Sequence, residues 1–351
     1  MNKWFSQRLE KWYQANKRDL PWRNETDAYK IWLSEIILQQ TQVGQGLAYY
    51  YRFIQKFPTV DLLAKAKEDE VLKLWQGLGY YSRARNLHAA AKWVCEVHKA
   101  KFPENYSEIL SLKGVGTYTA AAIASFAFNL PYAVVDGNVY RFLSRLFGIY
   151  TPIDSSLGKK QFQDLANELL DKKSPGLHNQ AIMEFGSQYC KPARPDCEHC
   201  IFKDKCVAAT KGLVAELPIK EKKLKTRTRY FNYLVLIDDK QATIVKKRSD
   251  NDIWKGLYEF VLIETDTKAD VELVLNVFNE NKKVRQTILH VSKEYRHLLS
   301  HQLLITQFIV IKVKHLPTIS FKKVPLKSLE THAFPRLIEK FLQDCDLKEI
   351  V

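Results

Sequence analysis

Apolar residues recur at helical spacing through the first two hundred positions and at strand spacing after them. Residues 27–42, 62–74, 82–98, 107–112, 117–128 and 160–170 carry apolar side chains three and four apart, which predicts amphipathic helices. The breaks between them hold Phe57-Pro58-Thr59, Gly77-Leu78-Gly79, Phe102-Pro103 and Thr151-Pro152, residue types that turn a chain. From 208 to 229 the periodicity fails. Lys211, Lys220, Lys222, Lys223, Lys225, Arg227 and Arg229 crowd this stretch and Pro218 interrupts any helix, so it reads as a basic connector. Beyond it, 230–237 and 242–247 alternate as strands around a turn at Asp238-Asp239-Lys240. Residues 271–278 then read as a helix, 301–313 as a strand and 335–342 as a closing helix. The expected architecture is therefore an all-α region over 1–207, a linker over 208–229 and a small α+β domain over 230–351.

A chain of 351 residues can bury two separate cores. Its formal charge of +15 points to a polyanionic partner, and nucleic acid is the common soluble one. The longest apolar run, 120–128, is too short to span a bilayer, and the charged N-terminal dozen residues hold no signal-peptide core. A cytosolic protein is expected, nucleoid-associated if bacterial, with no membrane partner.

Three short runs carry candidate chemistry. Lys113-Gly114-Val115-Gly116 joins the helical patterns 106–112 and 117–128. Neither glycine has a Cβ, so the backbone can turn tightly and approach a ligand, and the helix opened by Gly116 offers free N–H groups to a phosphate oxygen. Taken alone, L-x-G-V-G also fits a plain joint between helices. About twenty residues on, Asp136 stands between Val134-Val135 and Gly137-Asn138. In the second run, Trp32, Glu35 and Gln39 share one helix face. Apolar surroundings disfavour the charged carboxylate of Glu35 and raise its pKa, the property of a general acid near neutral pH; the plain alternative is a solvated helical glutamate. Third, Cys190, Cys197, Cys200 and Cys206 form C-x6-C-x2-C-x5-C. Thiols kept reduced and this dense suggest metal ligation, with zinc and an iron–sulfur cluster both open on spacing alone.

The pairing of L-K-G-V-G with V-D-G-N-V resembles the helix-hairpin-helix DNA glycosylases, the superfamily of endonuclease III. W-L-S-E-I-I-L-Q-Q-T-Q-V resembles the catalytic segment of its adenine-removing MutY family. The resemblance implies a helical glycosylase core, with the hairpin at about 107–128 and a [4Fe–4S] loop at 190–206 held by the four cysteines. It implies Glu35 as the acid that protonates adenine, Asp136 as stabiliser of the sugar cation, and Tyr118 and Asn138 as positioning groups. Trp22, Arg23, Leu38, Val43, Gln180 and Met183 match the adenine pocket. Gln40 and Tyr80 match residues that wedge into the duplex, with Thr41, Leu78, Gly114 and Gly116 also at the DNA. Endonuclease III-like lyases carry a lysine where this chain has Tyr118, so a monofunctional hydrolase is implied.

Residues 230–351 resemble the MutT-like, Nudix-fold domain of the same family through 231–237, Trp254-Lys255-Gly256-Leu257-Tyr258-Glu259-Phe260 and 297–301. The glutamate-dense helix of a pyrophosphohydrolase is missing, so recognition without hydrolysis is expected. A Phe-Ser-His loop contacts 8-oxoguanine in the family; here Leu299-Ser300-His301 stands, with leucine replacing phenylalanine. The expected partner is duplex DNA with adenine opposite 8-oxoguanine or guanine, bound by a monomer. Two other readings keep the same motifs: a bifunctional glycosylase/lyase for oxidised pyrimidines, and a non-catalytic DNA-binding scaffold.

Overall fold

The computed structural model describes residues 2–221, 226–249, 252–279, 286–317 and 321–350. The chain forms two compact units, Met1–Lys65 with Asn86–Lys223, and Ala66–Arg85 with Leu224–Val351. Twelve α-helices come before the first strand among the described residues: α1 Asn2–Asn16, α2 Ala28–Leu38, α3 Val43–Lys56, α4 Val60–Lys65, α5 Glu68–Trp75, α6 Ser82–His98, α7 Tyr106–Ser111, α8 Thr117–Phe128, α9 Gly137–Phe147, α10 Ser156–Leu169, α11 Pro175–Gln188 and α12 Val207–Lys211.

The core of the first unit forms where Phe5, Leu9, Trp12 and Tyr13 on one face of α1 meet Phe142, Leu143, Phe162, Ile182, Phe185 and Phe202. Burying these aromatic rings supplies most of the packing energy, since each removes a large apolar area from water. The Ala-rich α8 is buried along Ala120–Ala124, and α2 and α11 pack against it. Small side chains let those helices come close, which brings residues of α2, α8, α9 and α11 to one cleft.

Two expected helices are each split. The 27–42 stretch ends its first helix at Leu38, and the chain turns through Gln39–Gln42, with Gln40 at φ 54, before α3 begins. The 62–74 stretch divides into α4 and α5 at Ala66–Lys67, where the Glu70 carboxylate accepts the Lys67 N–H at 3.2 Å and so caps the new helix. The expected linker is also largely built into structure. α12 occupies its start, Leu217 O accepts from Arg145 Nε at 3.1 Å, and Ile219 O accepts from Ile153 N at 3.0 Å. Arg229 lies in a strand and is held by Asp252 and Glu264 at 2.8 and 2.6 Å, so it is not free for a phosphate backbone. Lys222, Lys223 and Lys225 lie outside the described residues.

The second unit is built on a mixed sheet of β1 Arg227–Ile237, β2 Ala242–Lys247, β3 Tyr258–Glu259, β4 Val261–Thr265, β5 Gln286–Val291, β6 Tyr295–Leu298, β7 Gln302–Val313 and β8 Lys322–Pro325. Its main path runs β3-β2-β1-β7-β5, and β1 pairs with β7 in parallel while the other pairings are antiparallel. Alternation along β1 sends Phe231, Tyr233 and Val235 to one core, with Phe341 of α14 Arg336–Asp344, and Leu234 and Leu236 to another, with Val274 of α13 Val271–Asn279. A final short helix, α15, spans Leu347–Ile350. Glu272 is the only acid on α13, in keeping with the missing glutamate helix.

Candidate active site and cysteine centre

Asp136 caps α9. Its carboxylate accepts from the backbone N–H groups of Asn138 and Val139 at 2.9 and 2.8 Å and from the Asn138 side-chain amide at 2.7 Å. Burial pushes its pKa up, while these donors and nearby Arg141 oppose the shift by favouring the charged form. Arg141 in turn donates to Asn138 Oδ1 at 3.0 Å, Gly186 O at 2.5 Å and Cys190 O at 2.8 Å. One guanidinium thereby ties the Asp136 turn to the start of the cysteine loop.

Glu35 projects from α2 and is only 6% exposed. Burial raises its pKa from 4.5 to about 7, Tyr118 and Arg23 pull it down, and the charge of Asp136 adds to the rise. The Tyr118 hydroxyl donates to Glu35 Oε2 at 2.9 Å. At neutral pH the Glu35 carboxyl is thus poised between its two protonation states, as a general acid must be.

Both carboxyls line a cleft of about 730 Å³. Trp22, Arg23, Leu38, Gln40, Thr41, Val43, Tyr118, Asn138, Gln180 and Met183 line it with them, and a cleft of this size can take a nucleobase with its sugar. Gln180 is oriented by the Tyr13 hydroxyl at 2.7 Å.

The hairpin glycines differ. Gly114 sits at φ +84, and a Cβ there would lie 2.7 Å from Asn86 Cβ, so glycine is required on both counts. Gly116 has an ordinary extended backbone with open space at its Cβ position, and α8 begins there with no side-chain cap. Its leading N–H groups are left for solvent or a ligand.

Cys190, Cys197, Cys200 and Cys206 surround one small apolar pocket with Phe142, Phe185, Tyr189 and Phe202. Arg145 directs an N–H at Cys190 Sγ (3.6 Å) and Phe202 N does so at Cys200 Sγ (3.5 Å). Among the described residues, no three His, Cys, Asp or Glu side chains converge on a single-ion site. Arg145 also holds the loop through Lys191 O and Pro192 O at 2.7 and 3.1 Å.

In the second unit Leu299, Ser300 and His301 form the tip of the β6–β7 hairpin, closed by Leu299 N to Gln302 O at 2.8 Å. Leu299 packs against the apolar core and Leu298 beside it is 73% exposed. Tyr80 is 51% exposed and shares a 2.7 Å hydrogen bond with Ser300 Oγ, whereas Tyr81 is a core residue. Leu78 is buried beneath this turn.

A family model described as HhH-GPD superfamily base excision DNA repair protein matches residues 33–168, and a NUDIX domain model matches 232–344. The adenine DNA glycosylase of Buchnera aphidicola subsp. Acyrthosiphon pisum (strain APS) is 32% identical, over 97% of this chain and 97% of its own. The chain belongs to the adenine DNA glycosylase family. The rat protein of that name is 44% identical over 64% of this chain and 46% of its own. Among solved structures, a thermostable thymine-DNA glycosylase superposes with TM-score 0.56 at 30% identity, covering 60% of this chain and 97% of that one. A non-covalent endonuclease III–DNA complex shares the fold at TM-score 0.53 and 19% identity, over 60% of this chain and 96% of that one. The chain is therefore a DNA glycosylase, with a helix-hairpin-helix core and a NUDIX domain. Among the described residues, no helix is long and apolar enough to cross a membrane.

In this family member the cleft has a feature that no local motif announces. Glu184, fully buried, is held by Arg18 at 2.6 Å and Arg23 at 2.6 Å. Burial alone would raise its pKa, but the two arginines outweigh this and keep it low. Its partners lie more than 160 residues away in sequence, so pattern reading cannot pair them. Glu184→Ala should destabilise the protein by about 3 kcal/mol in urea melts, because it strands two cations at the cleft wall. A Glu184→Gln variant, which keeps an acceptor but loses the charge, as stable as the wild type would show that the ion pairs are not the cause.

Proposed function

We propose that this enzyme removes adenine from duplex DNA where adenine faces 8-oxoguanine or guanine. The observation that carries the reading is a buried acid with a pKa of about 7 and a helix-capping carboxylate on one nucleotide-sized cleft. The target base must leave the stack to reach them. Glu35 gives its proton to a ring nitrogen of the flipped adenine, so the base departs neutral and the glycosidic electron pair goes with it. Asp136, whose anionic form is favoured by its three donors against the opposing effect of burial, stabilises the positive charge left on the sugar until water adds. This division of labour between two carboxyls is that of glycoside hydrolysis. Tyr118 holds Glu35 and, being a phenol, is no substitute for the amine of a lyase.

The family relationship supports the remaining roles. Trp22, Arg23, Leu38, Val43, Gln180 and Met183 form the base pocket. Gln40 and Tyr80, both at positive φ, fill the gap in the duplex, with Thr41 and Leu78 beside them in sequence. The uncapped start of α8 at Gly114 and Gly116 takes a backbone phosphate. Ser300 and His301 read the edge of the base opposite, and the inward packing of Leu299 leaves stacking there to other side chains.

The four cysteines fit a [4Fe–4S] cluster: four soft donors enclose an apolar pocket and receive N–H groups at two sulfurs. Such a cluster would brace the loop whose first residue Arg141 ties to Asn138. Cys200→Ala should lower bound iron and sulfide in parallel and drop the melting temperature; unchanged iron content would remove the assignment.

The activity is tested with duplexes holding adenine opposite 8-oxoguanine, guanine or thymine. Alkali-dependent breaks at the adenine, fastest opposite 8-oxoguanine, are expected. Breaks without alkali, with a borohydride-trapped adduct, would instead make the protein a lyase.

A further inference from the structure

The turn that presents Tyr80 is strained. Gly77, Gly79 and Tyr80 have φ values of 99, 74 and 46, and only the glycines adopt such values without steric penalty. A half-exposed tyrosine in the left-handed region needs something to hold it there.

Arg83, in the first turn of α6, is 7% exposed. Its Nη2 donates to Gly79 O at 3.2 Å and Leu78 O at 3.4 Å. Its guanidinium lies 5.0 Å from the Trp75 ring centroid and 5.7 Å from that of Tyr80. Trp75 Nε1 also donates to Gly79 O, at 3.0 Å. One cation thus sits between a buried ring and an exposed one and fastens the two carbonyls that precede the exposed ring. A lysine has neither the planar face nor the fork to do this.

We propose that Arg83 is a positioning residue that holds Tyr80 outward as a preformed wedge, so that DNA distortion does not first require the turn to order itself. This rests on the wedge role given to Tyr80 above. Preorganisation of this kind acts on duplex engagement and leaves the chemical step alone.

The experiment is a double-mutant cycle of Tyr80→Ala and Arg83→Met in the intact chain. Each variant is read by single-turnover rate at saturating duplex, by the duplex concentration giving half that rate, and by fluorescence of 2-aminopurine next to the 8-oxoguanine, which reports unstacking. Base–aromatic stacking is strong enough that its loss should raise half-saturation about tenfold. Arg83→Met should show that rise and a smaller fluorescence increase, with the saturated rate within about twofold of wild type. Arg83→Lys should recover little, and the double variant should be no worse than Tyr80→Ala. Trp75→Phe, which keeps a ring but removes the donor to Gly79, should move the same readouts in the same direction, and stands in should Arg83→Met not fold. Additive effects of the two single changes, or an Arg83→Met protein that engages duplex normally, would overturn the proposal. A Tyr80→Ala variant that unstacks DNA normally would remove the wedge reading itself, and the proposal with it.

Discussion

Glu35→Gln is expected to slow base release sharply and, above neutral pH, to leave the folded protein more stable than the wild type. The activity loss should reach about 10²–10⁴-fold, the usual contribution of a positioned acid. The stability gain follows from the same burial. The folded-state pKa of about 7 lies above the ordinary 4.5, so the folded protein keeps a proton that the unfolded chain releases. The stability contributed by neutral Glu35 is therefore fully present below pH 4.5 and is lost as pH rises through 7. At pH 8 the wild type carries a buried carboxylate, and a neutral amide of the same shape should relieve up to about 3 kcal/mol. Urea melts at pH 5 and pH 8 decide the point: the variant should gain at pH 8 and nearly match the wild type at pH 5. Equal stabilities at both values would mean Glu35 titrates normally. The single-turnover rate of the wild type should likewise fall as pH rises through 7, because the acid form is then depleted.

Asp136→Asn should cost about 10²–10³-fold in turnover while leaving DNA binding and stability nearly intact. The reason lies in the double duty of this side chain. As a cap it accepts N–H groups at the start of α9, and asparagine caps as well as aspartate. In its proposed role as stabiliser of the sugar cation it needs its negative charge, which asparagine lacks. Asp136→Ala loses both and should be less stable by a further amount of about 1 kcal/mol. Equal thermal loss in the two variants would mean the capping bonds carry no stability. Full activity in Asp136→Asn, with cleavage of adenine opposite 8-oxoguanine intact, would remove the charge from the mechanism.

Much of this was visible in the residue order, because the helix patterns and motifs are local. The 117–128 helix and the 242–247 strand run as their patterns predict. The two split helices lie where elements meet without Gly or Pro. Apolar spacing continues from Leu38 to Val43 across a turn made of polar Gln39–Gln42, and nothing in that spacing marks the left-handed Gln40. The short strands β3 and β6 are too brief to show a period. The cleft residues named from motifs fall on one cavity because those motifs occupy helices that pack together. Glu184 with Arg18, and Arg83 with Trp75, stayed hidden for a different reason: each is an ordinary charged residue until tertiary packing removes its water.

Residues 66–85 belong to the same compact unit as the NUDIX domain, although the glycosylase family match runs through them. Asp69 on α5 accepts the Tyr258 hydroxyl at 3.0 Å and pairs with Lys247, and Lys73 donates to His332 O at 3.3 Å. A chain cut just before β1 is consequently not a smaller enzyme lacking one specificity. It would leave α5 without its hydrogen-bond partners and Tyr80 without Ser300, changing the presentation of the proposed wedge along with the proposed reading of the opposite base. Lesion preference in such a truncation would mix two losses, and point changes at the hairpin tip are the means to separate them.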